Sequence, residues 1–295
     1  GEVMEENKKS PKELWKHCLA WAKEKDTSFI DRCEKVGLSE IDIELNQLNI
    51  LPLQYMEEKD SVFTSLNLPL SGVSHLLGKT AYISEEMEVW AENAQTWLMS
   101  CDMTMASIVL IADGFVDEGP AWGFLKGVEK LGATVVANHE KPWEVLNDYG
   151  VNSCALTAKL IEEWIDGGYE TGKCQCLFCL TSDIDENQRV KWQEKLGIPI
   201  YLQLGLKGVQ ASVIAWECSK QDGYHWGINY FWPEIIDDKS KKNISCYDEG
   251  HMVLTALKRS STSIIRLVTP WQGYFISDEC SCYYNSPKFK MIKKI

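Results

Sequence analysis

The stretch from residue 176 to residue 237 constrains the fold of this chain more than any other part. It contains an apolar run at 176–180, a helical pattern at 185–196, a second apolar run at 198–204 and then two β-like runs. Short apolar runs that alternate with helical segments are typical of a sheet covered by helices. The alternation extends upstream, with strand patterns at 107–112 and 151–154 and helical patterns at 121–131, 142–148 and 156–167. We therefore predict an α/β fold with a largely parallel sheet flanked by helices and connected by right-handed crossovers.

Several short motifs in and around this stretch match one enzyme family in order. They are Leu196-Gly197-Ile198, Glu217-Cys218, Asp222-Gly223-Tyr224-His225 and Pro233-Glu234-Ile235-Ile236-Asp237, together with Leu-Gly-Ala-Thr-Val-Val at residues 131–136. On these motifs the chain resembles the phenylacetate-coenzyme A ligase family, a branch of the adenylate-forming (AMP-binding) superfamily. The resemblance starts near residue 15, and it implies the fold of the family's N-terminal domain and an ancestral activity of ATP-dependent carboxylate activation.

The resemblance also implies how the chain is organised. We expect an N-terminal helical segment at 1–60, an α/β core at 61–230 and a small β subdomain at 231–295. The family continues with a mobile C-terminal lid domain that delivers a catalytic lysine. This chain ends near residue 295, and we expect it to have no such lid.

The phosphate loop implied by the family falls between residues 64 and 82 and has lost part of its chemistry. Ser71, Gly72 and Ser74 keep two hydroxyls and one glycine, but His75 and Leu76 stand where the family has its second glycine and its lysine. Such a loop wraps a triphosphate with backbone N–H groups and adds a positive charge. We therefore expect a degenerate phosphate loop.

The other nucleotide positions implied by the family are also altered. The adenine-side Gly-Ala-Glu-Pro turn aligns with residues 180–183, which include Ser182 and Asp183. In the next turn, Leu204 replaces the family's aromatic residue and Gly208 replaces its Mg²⁺-side glutamate. Trp271 replaces the family's ribose-binding aspartate. Adenylation needs Mg²⁺ and positive groups around the reacting phosphates. We therefore expect no ATP or Mg²⁺ cofactor and treat the site as vestigial.

Cysteine and histidine residues suggest a metal site as a second possibility. Cys218 ends a β-like run and His225 follows a turn, so the two could meet at one point, and soft thiolates with imidazole suit zinc. Cys176 or Cys179 on the neighbouring strand could add further thiols. The alternative is that Cys176 and Cys179 are small apolar core residues and that His225 caps a turn. A reactive pair at Cys280-Ser281-Cys282 is not favoured, because the acidic residues beside it raise a thiol pKa.

Composition limits the partners and the compartment. The net charge of −13 argues against a nucleic-acid partner or an anionic membrane surface. No stretch approaches the ~20 apolar residues of a membrane span, and residues 1–13 have no apolar core of a signal peptide. Eleven cysteines, an odd number in a large chain, favour reduced thiols or metal ligands over a disulfide framework. We expect a cytoplasmic protein, with a homodimer left open.

Three functions remain open from the sequence. The first is a catalytically degenerate relative of the phenylacetate-coenzyme A ligases that binds a small ligand or a protein partner without adenylating it. The second is an active acyl- or aryl-coenzyme A ligase with an atypical nucleotide site. The third is a thiol- or zinc-dependent protein on the same fold.

Overall fold

The computed structural model describes residues 8–56, 73–78, 80–116, 119–137, 140–259 and 262–295. The helices in these ranges are α1 Pro11–Lys25, α2 Thr27–Lys35, α3 Ser84–Ser100, α4 Pro120–Leu131, α5 Pro142–Tyr149, α6 Ala158–Gly167 and α7 Glu186–Leu196, with a 3₁₀ helix at Leu45–Ile50. The first seven strands are β1 His75–Leu77, β2 Thr80–Tyr82, β3 Ile108–Ile111, β4 Thr134–Ala137, β5 Ser153–Leu156, β6 Cys176–Cys179 and β7 Ile200–Tyr201. The remaining strands are β8 Gln203–Leu206, β9 Gln210–Glu217, β10 Tyr224–Trp226, β11 Phe231–Ile236, β12 Gly250–Ala256, β13 Ile264–Ile276 and β14 Lys288–Lys294.

Five strands form a parallel sheet in the order β4-β3-β5-β6-β7, and α4, α5, α6 and α7 connect them. The four residues of β6 are all buried, which is why this strand reads as an unbroken apolar run. Gly197 ends α7 with a φ of +73°, a conformation that glycine adopts without steric cost, and the chain then enters β7. The predicted α/β fold with a parallel sheet flanked by helices is confirmed.

The larger sheet is antiparallel and has seven strands in the order β11-β12-β13-β14-β10-β9-β8. Its strands come from both sides of residue 230, where the sequence suggested that a core ends and a β subdomain begins. β14 lies between β13 and β10 and pairs with both, with Phe275 and Tyr224 each opposite Phe289. This placement brings the C-terminal strand next to the turn between β9 and β10.

The N-terminal segment packs onto the antiparallel sheet. A capping box starts α1, with the Ser10 N–H donating to Glu13 Oε2 at 2.7 Å and the Glu13 N–H donating to Ser10 Oγ at 3.3 Å. Further along, the Gln54 N–H donates to the Arg266 carbonyl, and the Val268 N–H donates back to the Gln54 carbonyl. These contacts attach the end of the segment to β13.

Two tryptophans of α3 lie in the core and reach different sheets. Trp97 is fully buried and meets Phe124 and Phe178 edge-on, with ring centroids 5.5 and 5.0 Å apart. Trp90 is also buried and donates to Ser212 Oγ at 2.9 Å. None of the helices in the described ranges combines the length and apolarity needed to cross a bilayer.

Candidate functional site

Trp271, which the sequence resemblance aligned with the family's ribose aspartate, is completely buried. Its indole Nε1–H donates to Asp183 Oδ1 over 2.5 Å. Asp183 follows the strand β6 in the turn that aligns with the family's adenine side, and its φ of +62° lies in the left-handed region that aspartate tolerates. The position that the resemblance assigned to the adenine side and the position that it assigned to the ribose are therefore in direct contact.

A lysine from the C-terminal strand completes this arrangement. Lys294 Nζ lies 2.8 Å from Asp183 Oδ2, and the Asp183 side chain is only 9% exposed. The carboxylate thus receives the indole on one oxygen and the ammonium group on the other. We call Trp271, Asp183 and Lys294 the indole triad, because the indole and its two charged neighbours occupy the predicted nucleotide position.

The remaining adenine-side residues are engaged with the backbone of β8. Ser182 Oγ accepts from the Gly205 N–H at 2.8 Å and donates to the Gly205 carbonyl at 3.0 Å. Leu204, next to Gly205, is fully buried. A Cβ added to Gly205 would lie 2.1 Å from the Ala211 carbonyl oxygen, so β8 and β9 approach too closely for any side chain there. The turn that contains Ser182 is therefore hydrogen-bonded to β8.

The other predicted nucleotide residues offer little for a phosphate or a metal ion. Gly208 lies in the turn between β8 and β9 with a φ of +74° and has no carboxylate for Mg²⁺. Ser74 uses both its N–H and its hydroxyl on the Tyr82 carbonyl, at 2.9 and 3.1 Å, within the β1–β2 hairpin. Ser71 and Gly72 lie outside the described residues.

A polar cleft lies beside the indole triad and has a volume of about 430 Å³. Asp183 and Lys294 of the triad line it together with Glu217, Tyr224 and Lys290. Burial raises the pKa of Glu217 to about 7, an effect that the nearby Arg189 guanidinium partly offsets. The cleft therefore has room for a small polar molecule and places a buried carboxyl in its wall.

Four candidate metal ligands converge at the β9–β10 turn, and we call them the thiol cluster. They are Cys218, His225, Cys280 and Cys282, whose ligand atoms all lie within 4.8 Å of one another. Cys218 Sγ is 3.7 Å from Cys280 Sγ, and Cys282 Sγ is 3.4 Å from His225 Nε2. Tetrahedral zinc with Zn–S bonds of about 2.3 Å and Zn–N bonds of about 2.0 Å places its ligands roughly 3.5 to 3.8 Å apart. The Cys218–Cys280 distance lies within this range and the Cys282–His225 distance lies about 0.1 Å below it, so these two pairs need only small shifts to form a tetrahedral Cys₃His zinc site.

The surroundings of the thiol cluster also suit a metal. His225 is fully buried, and its Nδ1 is 2.8 Å from Ser286 Oγ, which leaves Nε2 facing the cluster and can fix the tautomer that a metal needs. Burial, followed by the charge of Lys288, lowers the pKa of His225 to about 4, so the imidazole is neutral at pH 7. Burial raises the pKa of Cys218 to about 12, so a bound metal must displace its proton.

The structure brings Cys218 and His225 together, as the sequence suggested, but not with Cys176 or Cys179. Those two thiols lie on β6 inside the core, where Cys179 Sγ donates to the Thr181 carbonyl at 3.6 Å. Burial raises the pKa of both thiols. They are packed as the small apolar residues of the alternative interpretation, because both lie on the parallel sheet and the cluster lies on the antiparallel one.

The two thiols that complete the cluster, Cys280 and Cys282, lie in the loop between β13 and β14. The sequence contains the relevant signal, a Cys-x-Cys pair combined with a distant Cys and His. What it lacks is the proximity, because Cys280 is separated from Cys218 by 62 residues. Lys294 was missed for the same reason.

Comparison with known proteins shows similarity of sequence to one enzyme and similarity of fold to several solved structures. The phenylacetate-coenzyme A ligase of Aromatoleum evansii is 25% identical over 199 residues, which are 64% of this chain and 45% of that enzyme. A crystal structure of 2-hydroxyisobutyryl-CoA ligase in the postadenylation state superposes with a TM-score of 0.80 at 17% identity, covering 96% of this chain and 66% of the ligase. O-succinylbenzoate coenzyme A synthetase from Bacillus subtilis in complex with AMP gives a TM-score of 0.51 at 13% identity, covering 73% of this chain and 46% of that enzyme.

These comparisons confirm the sequence resemblance to phenylacetate-coenzyme A ligase and the adenylate-forming fold. The chain spans less than half of the curated ligase that it matches and about two thirds of the 2-hydroxyisobutyryl-CoA ligase. No protein-family model matches the chain.

Proposed function

We propose that this chain is a relative of the coenzyme A ligases that does not adenylate a carboxylate, and that it binds a small polar ligand instead. The observation that carries the proposal is the indole triad. A ribose needs an acceptor for its hydroxyls and space for the sugar, whereas Trp271 supplies a donor and bulk, and the carboxylate of Asp183 is already engaged by Trp271 and Lys294. Nucleotide binding would have to displace a buried indole and a charge-assisted contact.

The loss of ligands for Mg²⁺ and phosphate supports the same proposal. Gly208 has no carboxylate, and the Ser74 hydroxyl is hydrogen-bonded within its hairpin. Each lost charge-assisted hydrogen bond is worth about 1.5–3 kcal/mol, and each ~1.4 kcal/mol is a factor of ten in affinity. Losing a ribose carboxylate and a Mg²⁺ ligand together is expected to weaken ATP by two or more powers of ten.

The test measures nucleotide binding and chemistry separately. Isothermal titration calorimetry with ATP and Mg²⁺ is expected to give no saturable heat, and pyrophosphate release with a panel of aryl and short-chain carboxylates should not exceed a no-enzyme control. Turnover that requires both ATP and one particular acid would support the alternative of an active ligase with an atypical nucleotide site. Because this chain spans only part of the ligases that it matches, the binding measurement is the stricter of the two.

The proposed ligand site is the cleft beside the triad. Its wall combines Glu217, Tyr224 and Lys290 with the outer face of the triad, so it offers both acceptors and donors. Thermal-shift screening of small polar metabolites against the wild type and a Glu217→Gln variant tests this assignment. A stabilising compound should lose its effect in the variant, and equal shifts in both proteins would place the ligand elsewhere.

A second proposed function is zinc binding by the thiol cluster, with a structural role. Three thiols and one imidazole whose ligand atoms lie within 4.8 Å of one another can supply all four ligands of a tetrahedral zinc ion, which leaves no position for a reacting water. The ion would tie the loop between β13 and β14 to the turn between β9 and β10.

Metal analysis of protein purified without chelator tests this second function. About one equivalent of zinc is expected, and Cys282→Ser should lower it strongly because three ligands bind zinc less tightly than four. Cys246→Ser is the matched control, since Cys246 is exposed and lies outside the cluster. Less than about a tenth of an equivalent in the wild type would end the zinc proposal.

A further inference from the structure

Two thiols of the cluster lie at a distance from which they can be joined. Cys218 Sγ and Cys280 Sγ are 3.7 Å apart, and both residues are buried. We propose that this pair is an oxidisable site, in which hydrogen peroxide converts Cys218 and Cys280 to a disulfide. Because the disulfide consumes two of the four cluster ligands, its formation releases a bound metal. Only this release rests on the proposed zinc site, since the disulfide needs the two thiols alone.

The local structure allows the two sulfur atoms to meet. A disulfide has an S–S bond of about 2.05 Å, so the sulfurs must approach by about 1.7 Å. Cys218 directly follows β9 and is held by the sheet, whereas Cys280 lies in the loop 277–287, where no residue pairs in a strand. The Cys280 N–H donates to Asn285 Oδ1 at 3.1 Å, within the same loop. The approach therefore requires movement of a loop and leaves the sheet pairing intact.

One thiol of the cluster is partly exposed to solvent. Cys282 is only partly buried, and its Sγ lies 3.4 Å from His225 Nε2. A second thiol pair in the core serves as a comparison, because it has no partly exposed thiol beside it. Cys154 Sγ and Cys174 Sγ are 3.8 Å apart, but both residues are buried and Cys154 lies on β5, which pairs with strands on both sides. This second pair has a similar separation without a partly exposed thiol beside it, and it is expected to stay reduced.

The chemistry balances with peroxide as the only oxidant. The thiol of Cys280, the loop residue of the pair, attacks a peroxide oxygen, so that an S–O bond forms, the O–O bond breaks, and the departing hydroxide takes the Cys280 thiol proton to become water. The other thiol then attacks the sulfenic sulfur, the S–S bond forms and the S–O bond breaks. The second hydroxide leaves as water with the second thiol proton. Two thiols lose two electrons in total, and one peroxide is reduced to two waters.

Peptide mapping under non-reducing conditions tests the proposal on zinc-stripped, full-length protein. A moderate excess of peroxide should yield a cross-link between the peptides that carry Cys218 and Cys280, and dithiothreitol should remove it. Cys280→Ser should abolish this cross-link, whereas Cys282→Ser should retain it, because Cys282 is outside the bond. The Cys154 and Cys174 peptides in the same digest are the internal comparison.

Three results would overturn the inference. They are no Cys218–Cys280 cross-link at a dose that oxidises the exposed Cys246, a cross-link that persists in Cys280→Ser, or preferential linkage of Cys154 with Cys174. A chromophoric chelator added to the metal-loaded protein should record release of zinc as the cross-link forms. If metal analysis finds no zinc but the cross-link appears, the zinc proposal fails and the oxidisable site stands. If zinc is present and no cross-link forms, the oxidisable site fails and the zinc proposal stands.

Discussion

Replacing Trp271 with phenylalanine tests whether the indole triad holds its position as described. Trp271 is fully buried and donates one hydrogen bond to the nearly buried carboxylate of Asp183. Phenylalanine keeps an aromatic ring but removes the donor, and a hydrogen bond to a charged group contributes about 1.5–3 kcal/mol. We expect Trp271→Phe to lower the free energy of unfolding by about 2 kcal/mol. Trp271→Ala, which also leaves a cavity, should cost about 3–5 kcal/mol.

The background in which Trp271→Phe is measured separates the hydrogen bond from simple packing. Asp183→Gly removes the acceptor, and glycine adopts the φ of +62° at this position without strain. In the Asp183→Gly background we expect Trp271→Phe to cost less than about 1 kcal/mol, because there is no longer a buried carboxylate to leave unpaired.

The measurement is urea unfolding followed by far-ultraviolet circular dichroism, since removing a tryptophan changes the fluorescence signal itself. All four proteins of the cycle are needed: the wild type, each single variant and the double variant. Equal costs of Trp271→Phe in both backgrounds, within about 0.5 kcal/mol, would refute the contact between the indole and Asp183. The claim that this contact fills the nucleotide position would then lose its main support.

Three further predictions concern the rest of the molecule. Arg259→Met should destabilise the protein by about 3–5 kcal/mol in urea unfolding, because it removes one partner of a buried ion pair in which Arg259 Nη1 lies 2.9 Å from Glu86 Oε2; a cost below about 1 kcal/mol would contradict this pairing. Gly205→Ala should prevent soluble expression or cost more than about 3 kcal/mol, since its Cβ would lie 2.1 Å from the Ala211 carbonyl oxygen. Gly197→Ala is the comparison: no atom lies within 4 Å of its added Cβ, so it should cost only the strain of its positive φ, about 1–2 kcal/mol. Finally, burial raises the pKa of Cys18 and of Cys179 to about 12, so at pH 8 a thiol-specific dye should label the exposed Cys246 at least ~10-fold faster than either, and comparable rates would contradict the burial.

The sequence by itself determined the elements and the class of the fold. The apolar run at Cys176–Cys179, the helix Glu186–Leu196 and the glycine that ends it follow from local periodicity and from the conformational freedom of Gly197. The family motifs added the identity of the scaffold, and they placed Cys218 and His225 on two sides of one turn. Such signals are local, because they depend on residues only a few positions apart.

Only the tertiary structure decided which residues share a site. β14 returns between β13 and β10, and this pairing carries Cys280 and Cys282 to Cys218 and brings Lys294 to Asp183. The contact of Trp271 with Asp183 spans 88 residues and depends on how the two sheets meet. Strand order across a sheet is fixed by the packing of the whole domain, and periodicity along the chain carries no information about it. The sequence could therefore pair Cys218 with His225 across one turn, but it could not supply the distant partners Cys280, Cys282 and Lys294.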